Sequence, residues 1–206
     1  MPRLPNILTS LRLVLVPVFL WLATRGTTAG AAGALLVFVV AGVTDSLDGY
    51  YARKHGSTSD LGRFLDPLAD KLLVLSAFYW GATGLGAGRV WFNIWLVHLI
   101  ALREVGITLV RMRHRRQGRQ MVTAWAGKWK TASQMTVVIT VLVLETAARI
   151  AAGWGRPDDW LRTGPVGVGV EILFGIAVLL TVLSGVRYLT VDARTEPLQR
   201  AGAPPS

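Results

Sequence analysis

Cysteine is absent from this sequence, and histidine is rare. The 206 residues include no Cys and 3 His, so disulfide bonds and thiolate metal sites are excluded. The histidines, at positions 55, 98 and 114, form no cluster in the sequence, and nothing favours a zinc site. A metal site in this chain would instead use carboxylate oxygens, which suit hard cations such as Mg²⁺ and Mn²⁺.

Acidic residues are also few. The chain has 12 Asp and Glu against 22 Lys and Arg, which gives a formal net charge of +10. In a soluble protein such an excess would suggest a nucleic-acid partner. This chain, however, is 52% hydrophobic with a mean hydropathy of +0.45, and basic residues in apolar chains often lie in cytoplasmic loops facing anionic lipid. We therefore predict a lipid bilayer, and no nucleic acid, as partner.

No internal repeat, low-complexity segment or separate soluble domain is visible. A transmembrane helix needs about 20 residues, and the apolar runs predict six of them. They are residues 6–23, 29–53, 59–85, 90–113, 128–148 and 168–188. We predict an all-α integral membrane domain over 1–194, followed by a disordered cytoplasmic tail over 195–206, where prolines are frequent.

Basic residues predict how these helices are oriented. One set of loops and helix ends is basic: it holds Arg3, Arg12, Arg53, Lys54, Arg63, the run 111–130, Arg187, Arg194 and Arg200. The opposite loops carry few basic residues. Because basic loops stay in the cytoplasm, we expect both termini there, in a multi-pass protein of the cell membrane.

Four aspartates stand next to two of the apolar runs, on the side predicted to be cytoplasmic. Asp45 and Asp48 end one run, and Asp66 and Asp70 precede the next. On helices, these spacings of three and four residues place each pair on one face. An ionised group near the membrane core costs roughly 2.5–3.5 kcal/mol, so grouped acids indicate bound cations. Four carboxylates could hold two Mg²⁺ or Mn²⁺ ions, a known arrangement for phosphoryl transfer.

Simpler interpretations of these acids exist. Asp66, which precedes Pro67, could be an ordinary helix N-cap, and all four acids could lie in a solvated loop. The N-cap interpretation leaves Gly62 and Asp70 unexplained, since only a helix already formed at Gly62 aligns all three. We therefore predict a helix that starts near Ser59.

A second charged group follows in the fourth predicted helix. Arg103 and Glu104 interrupt its apolar stretch, Arg111 follows eight residues after Arg103, and Lys128 and Lys130 open the next helix. Charged residues inside membrane helices are functional candidates. Arg103 and Glu104 could equally form an internal ion pair that fastens two helices. The other arginines of this basic run are expected to face anionic lipid.

The aspartate segment resembles a known family signature. It reads D45-x-x-D48-G49-x-x-A52-R53-x(8)-G62-x(3)-D66-x(3)-D70, which is similar to the signature of the CDP-alcohol phosphatidyltransferase family at all eight fixed positions. Three further segments resemble the phosphatidylglycerophosphate synthase branch of that family. They are Pro5-Asn6-x-Leu8-Thr9-x-x-Arg12, Arg103-Glu104 with Arg111, and Gly127-Lys128-x-Lys130-Thr131-x-x-Gln134.

The resemblance implies an enzyme that transfers a phosphatidyl group from CDP-diacylglycerol to an alcohol and releases CMP, in phospholipid biosynthesis. It implies glycerol 3-phosphate as the acceptor, a homodimer, and two Mg²⁺ or Mn²⁺ ions. The implied roles are metal binding by Asp45, Asp48, Asp66 and Asp70, general base catalysis by Asp70, binding of the cytidine nucleotide by Gly49, Ala52, Arg53 and Gly62, and binding of the acceptor phosphate by Arg103, Arg111, Lys128 and Lys130.

Other functions stay open at this point. The acceptor could be inositol phosphate, or phosphatidylglycerol as in a cardiolipin synthase. A divalent-cation carrier is a distant alternative, because intramembrane carboxylates also occur in carriers. A carrier should show inverted halves, and the chain shows none.

Overall fold

The computed structural model describes residues 4–55, 60–116, 126–156, 161 and 164–201. For residues 4–10, 45–55, 60–70, 115–116, 126–128, 189 and 191–201 it describes the backbone alone. The described residues form six long helices and no strand, so the predicted all-α class is confirmed. The helices are α1 Leu4–Ala23, α2 Thr28–His55, α3 Asp60–Thr83, α4 Ile94–Arg116, α5 Ala126–Gly153 and α6 Pro165–Ala201.

The boundaries of five helices lie close to the predicted ones, and the sixth helix is longer. It continues to Ala201, into the segment predicted to be a disordered tail. Once a helix has formed, each further residue adds to it at low cost. The residues after Thr190 include Ala193, Leu198 and Gln199, which are good helix formers. Residues 202–206 of the predicted tail lie outside the described residues.

One end of the bundle is closed by hydrogen bonds from helix side chains to backbone carbonyls at the ends of neighbouring helices and in the turns. The Arg149 side chain of α5 donates to the carbonyl oxygens of Gly26 and, at 2.8 Å, of Gly86. Gly26 follows α1, and Gly86 follows α3. The Trp80 indole of α3 donates to the Ala23 carbonyl at 3.2 Å. The C-terminal ends of α1, α3 and α5 therefore lie together, at what we call the closed end.

Glycine is required where these two turns meet. Gly86 has a φ of +74°, and a Cβ at this position would collide with the backbone of Thr24. Only glycine allows both the left-handed conformation and the close approach. The contact fixes the turn after α3 against the turn after α1.

Aromatic side chains fill the interior between the helices. Phe19 and Phe38 pack with ring centroids 5.9 Å apart. Phe92 contacts Phe78 at 5.3 Å and Phe174 at 4.6 Å. These rings come from α1, α2, α3, α6 and the turn before α4, and their van der Waals contacts hold the helices together.

The outer faces of the helices are apolar as well. Leu36, Leu102 and Ile172 have 65%, 75% and 60% of their surface exposed. Among the described residues, two segments are long and apolar enough to cross a membrane: Trp129–Gly153 and Pro165–Tyr188. Shorter apolar segments occupy Leu11–Ala23 and Thr28–Thr44. A helical protein with apolar outer faces of this kind suits a lipid environment.

Candidate active site

The four aspartates lie on two consecutive helices, near the ends that adjoin. Asp45 and Asp48 belong to the C-terminal part of α2, and Asp66 and Asp70 to the N-terminal half of α3. Since α3 begins at Asp60, it carries Gly62, Asp66 and Asp70 together, and the N-cap interpretation of Asp66 is wrong. The side chains of all four aspartates lie outside the described residues.

The register of α1 and α2 shows how deep in the bundle Asp45 lies. Phe19 packs against Phe38, and these two helices run in opposite directions. Arg12 precedes Phe19 by seven residues, and Asp45 follows Phe38 by seven. Both positions are therefore about 10 Å from that aromatic contact, measured along the helices away from the closed end. Arg12 is buried there, with 7% of its surface exposed.

The contact between α2 and α5 shows that Lys130 lies at about the same depth in the bundle as Asp45. A Cβ on Gly42 would lie 3.6 Å from the Met135 Cε atom. Asp45 follows Gly42 by three residues, and the two helices are antiparallel. The backbone of Asp45 therefore lies at about the level of Ala132, within one helical turn of Lys130.

Glu104 is the centre of a buried polar cluster at this level. Its surface is 3% exposed, and its Oε1 atom accepts hydrogen bonds from Lys130 Nζ at 2.5 Å and from Arg103 Nη1 at 3.2 Å. Gln134 Nε2 lies 3.4 Å from the same oxygen. Lys71 Nζ is 3.6 Å from Oε2. We call these five residues the Glu104 cluster.

The amphipathic pattern of two helices brings these polar groups inside. In α4, Glu104 shares the buried face with Ile100 and Ile107, at spacings of four and three residues. In α5, Lys130 and Gln134 are 4% and 3% exposed and continue the buried face of that helix. The polar groups therefore occupy core positions, where an unpaired charge would be costly.

Helix α6 supports the cluster from its other side. Arg103 Nη2 donates to Ser184 Oγ at 2.7 Å, and a Cβ on Gly185 would lie only 3.0 Å from Arg103 Nε. Gln134 Nε2 donates to Thr181 Oγ1 at 3.0 Å. A small residue and two hydroxyls in α6 thus leave room for Arg103 and bind the cluster.

The residues predicted to bind an acceptor phosphate are partly brought together. Arg103 and Lys130 share Glu104 as a partner. The Arg103–Glu104 ion pair predicted as an alternative exists within α4, and the contact of Lys130 with Glu104 links α4 to α5. Arg111 lies 5.7 Å from the centre of the Tyr188 ring, on the same side of α4 as Ser184. Lys128 lies in α5, and its side chain is outside the described residues.

The predicted nucleotide-binding residues lie on helices, as expected. The structure places Gly49, Ala52 and Arg53 in α2 and Gly62 in α3, with their side chains outside the described residues. Sequence reasoning missed Lys71, which directly follows Asp70. It also missed Thr181 and Ser184, although polar residues in the apolar run of α6 were a signal that could have identified them.

Among the described side chains, no group of three or more acidic or histidine residues could hold a metal ion. The predicted metal ligands are not among those side chains, and the helix positions of these aspartates agree with the predicted spacing. Four carboxylates are a donor set for hard cations, and the chemistry of these residues therefore fits Mg²⁺ or Mn²⁺.

These observations define a class of protein: an all-helical membrane protein with acids and buried cations at one end of its bundle. The sequence profile of the family described as CDP-alcohol phosphatidyltransferase matches residues 3–183. The chain belongs to this family. The predictions of the family and of an enzyme that transfers a phosphatidyl group are thereby confirmed.

Three curated relatives resemble almost the whole chain. A protein of Mycobacterium tuberculosis (strain CDC 1551 / Oshkosh), named "Probable phosphatidylglycerophosphate synthase", is 38% identical over 91% of this chain and 80% of its own length. Proteins of Haemophilus influenzae and Escherichia coli (strain K12) are named CDP-diacylglycerol–glycerol-3-phosphate 3-phosphatidyltransferase. The Haemophilus influenzae protein is 32% identical over 92% of both chains. The Escherichia coli protein is 31% identical over 96% of this chain and 98% of its own length.

Proposed function

We propose that this protein is a CDP-diacylglycerol–glycerol-3-phosphate 3-phosphatidyltransferase, a phosphatidylglycerophosphate synthase. The names of its relatives support glycerol 3-phosphate as acceptor. The observation that carries the proposal is the contact of Lys71 with Glu104. Because Lys71 directly follows Asp70, this contact joins the helix of two aspartates to a buried cationic cluster.

Asp45, Asp48, Asp66 and Asp70 would hold two Mg²⁺ or Mn²⁺ ions. When bound, such ions neutralise a diphosphate and stabilise the charge that develops on the transferred phosphoryl group. Their oxygen donors and their positions on adjoining helix ends support this assignment.

Asp70 acts as the general base in this proposal. It takes the proton of the acceptor hydroxyl as the hydroxyl oxygen attacks the lipid-side phosphorus of CDP-diacylglycerol. The bond between that phosphorus and the bridging oxygen breaks, and CMP leaves with the bonding electrons. The product is a phosphatidyl ester of the acceptor.

Two further groups of residues bind the substrates. The first group binds the cytidine nucleotide: its small side chains leave space for the nucleotide, and Arg53 adds a positive charge. Its members are Gly49, Ala52, Arg53 and Gly62.

The second group holds the acceptor phosphate, because guanidinium groups bind phosphate oxygens in pairs and ammonium groups add a point charge. Its members are Arg103, Arg111, Lys128 and Lys130.

The proposed topology has six spans, both termini in the cytoplasm, and the active site at the cytoplasmic face. Exposed tryptophans near the closed end support a membrane interface there: Trp21, Trp95 and Trp154 are 56%, 77% and 81% exposed. Tryptophan is enriched at such interfaces. The aspartates lie towards the other end of the bundle. A homodimer is part of the same proposal.

CMP release by the purified protein, with CDP-diacylglycerol and one acceptor at a time, tests the function. We expect release with glycerol 3-phosphate and Mg²⁺ or Mn²⁺, and its loss with a chelator. Release with inositol phosphate or phosphatidylglycerol, and none with glycerol 3-phosphate, would contradict the proposed acceptor. Transport of Mg²⁺ into liposomes without CDP-lipid would favour a carrier.

A further inference from the structure

Glu104 is a buried acid for which the proposed reaction has no use. A carboxylate inside a phosphate-binding cluster opposes the binding of an anion, because like charges repel. A simple helix-fastening pair, in turn, needs a single cation. Here three cations, Lys71, Arg103 and Lys130, lie within 3.6 Å of the Glu104 carboxylate, and they come from three different helices.

We propose that Glu104 is a positioning residue for the phosphorylated acceptor. Its carboxylate holds Lys71 of α3, Arg103 of α4 and Lys130 of α5 in one arrangement. It thereby fixes the helix of Asp70 relative to the cations that bind the acceptor phosphate. This inference rests on the proposed function and adds two residues to it, Glu104 and Lys71.

The carboxylate is itself held in place by its surroundings. Gln134 Nε2 approaches Glu104 Oε1 and donates to Thr181 Oγ1, and Thr181 donates to the Ala177 carbonyl at 2.6 Å. This chain of contacts ties the carboxylate to the backbone of α6. A group fixed in this way can orient the cations around it, whereas a mobile one could not.

The charges of the cluster match a phosphate monoester. Three cations and one anion leave a net charge of +2, which a phosphate dianion would neutralise. Without Glu104 the three cations would repel one another in the absence of substrate. Glu104 therefore keeps them together until the acceptor phosphate arrives, and the cations still carry enough charge to bind it.

Through Lys71, Glu104 also positions Asp70, where the proton transfer would take place. Lys71 is adjacent in sequence to Asp70, which would take the proton of the acceptor hydroxyl. The acceptor hydroxyl must reach Asp70 while the cations hold the phosphate of the same acceptor molecule. The distance between Asp70 and these cations therefore decides the rate. A displacement of 1 Å at a reacting centre can cost about 100-fold. The contact of Lys71 with Glu104 fixes that distance.

Glu104→Gln tests this role in the full-length purified protein. We expect kcat for CMP release to fall by about 10- to 100-fold, because the cations lose their alignment. The KM for glycerol 3-phosphate should stay constant or fall, since a repelling charge has been removed, and the KM for CDP-diacylglycerol should not change. Glycerol 3-phosphate should still raise the melting temperature of this variant.

Glu145→Gln is the matched control. Glu145 is also a buried acid, 1% exposed, and it pairs with Arg149 at 2.9 Å, but at the closed end. This variant should lower the melting temperature and leave kcat per folded enzyme unchanged. The double variant Lys71→Met with Glu104→Gln should be no less active than the less active of the two single variants, since both changes break the same contact.

A kcat of Glu104→Gln within twofold of the wild type would overturn the inference, and so would a raised KM for glycerol 3-phosphate with an unchanged kcat. If this variant does not fold, Glu104→Asp replaces it: a moderate loss of kcat at constant KM supports the inference, and wild-type kinetics overturn it.

If the wild type releases CMP only with another phosphorylated alcohol, the proposed function fails. The same comparison with that alcohol then tests Glu104.

Discussion

Among the single residues, the charged side chains inside the bundle would be costly without a partner. Glu104 is almost fully buried, and its contacts with Lys130, Arg103 and Lys71 compensate its charge. Removing one partner of a buried ion pair typically costs about 3–5 kcal/mol. Substitutions in the Glu104 cluster should therefore be compared at equal amounts of folded protein.

Asp70→Asn should reduce turnover by about 10²–10⁴-fold, because an amide cannot take the proton of the acceptor hydroxyl. Binding of CDP-diacylglycerol should largely persist, since three of the four aspartates that we propose bind metal are retained. Single-turnover CMP release and CDP-lipid binding measure the two effects separately. A near wild-type rate would remove Asp70 from the role of base.

Lys130→Met and Arg103→Met should raise the KM for glycerol 3-phosphate by about tenfold or more, because each removes a charge that we propose binds the acceptor phosphate. The KM for CDP-diacylglycerol should change much less. Steady-state kinetics with each substrate varied in turn measure this difference. Arg113→Met is the control, since Arg113 is exposed and predicted to face lipid. Unchanged acceptor kinetics in both variants would contradict the assigned phosphate site.

At the element scale, the apolar runs and their spacing predicted the helices well, because burial in a helix follows a regular period. The same spacing predicted that Gly62, Asp66 and Asp70 share a helix, which α3 confirms. The Arg103–Glu104 pair was one of the predicted alternatives, but the partners of Glu104 in other helices could not be predicted. Lys71 comes from α3 and Lys130 from α5, and sequence periodicity shows which face of a helix is buried but not which helix it meets.

Lys71 and α6 illustrate this limit. Lys71 follows Asp70 directly, and its sequence neighbours do not indicate that its side chain meets Glu104 of another helix. Helix α6 resembled a generic apolar span, and the contacts of Ser184 and Thr181 depend on how it packs against α4 and α5. Its continuation to Ala201 depends on propagation from an existing helix.

Gly86→Ala tests the junction of turns at the closed end. The left-handed conformation alone should cost about 1–2 kcal/mol, and the collision with Thr24 should add to this cost. Gly88→Ala is the control, because Gly88 has a similar φ of +67° and open space around its Cβ position. Thermal unfolding should show a larger loss for Gly86→Ala. Equal losses would mean that the two turns do not meet as described.

At the scale of the whole molecule, the two ends of the bundle differ. The closed end is fastened by Arg149 and Trp80 and surrounded by exposed tryptophans. The other end carries the aspartates, and the Glu104 cluster lies at about the level of Asp45. This difference between the two ends fits an enzyme that takes a lipid substrate from the membrane and a polar substrate from water.

The absence of cysteine allows a direct test of orientation. Single cysteines at Ser57 and Ser206 should react with a membrane-impermeant thiol reagent only from the cytoplasmic side. Cysteines at Leu85 and Trp154, both highly exposed near the closed end, should react only from the opposite side. Labelling of all four from one side would contradict the proposed topology.

We propose that the acids of α2 and α3 bind divalent cations beside the Glu104 cluster. A crystal structure of the protein with Mn²⁺, measured with anomalous diffraction, would show these ions. We expect Mn²⁺ peaks at about 2.0–2.3 Å from carboxylate oxygens of Asp45, Asp48, Asp66 and Asp70. Aspartate side chains that face apart, with no Mn²⁺ between them, would contradict this proposal.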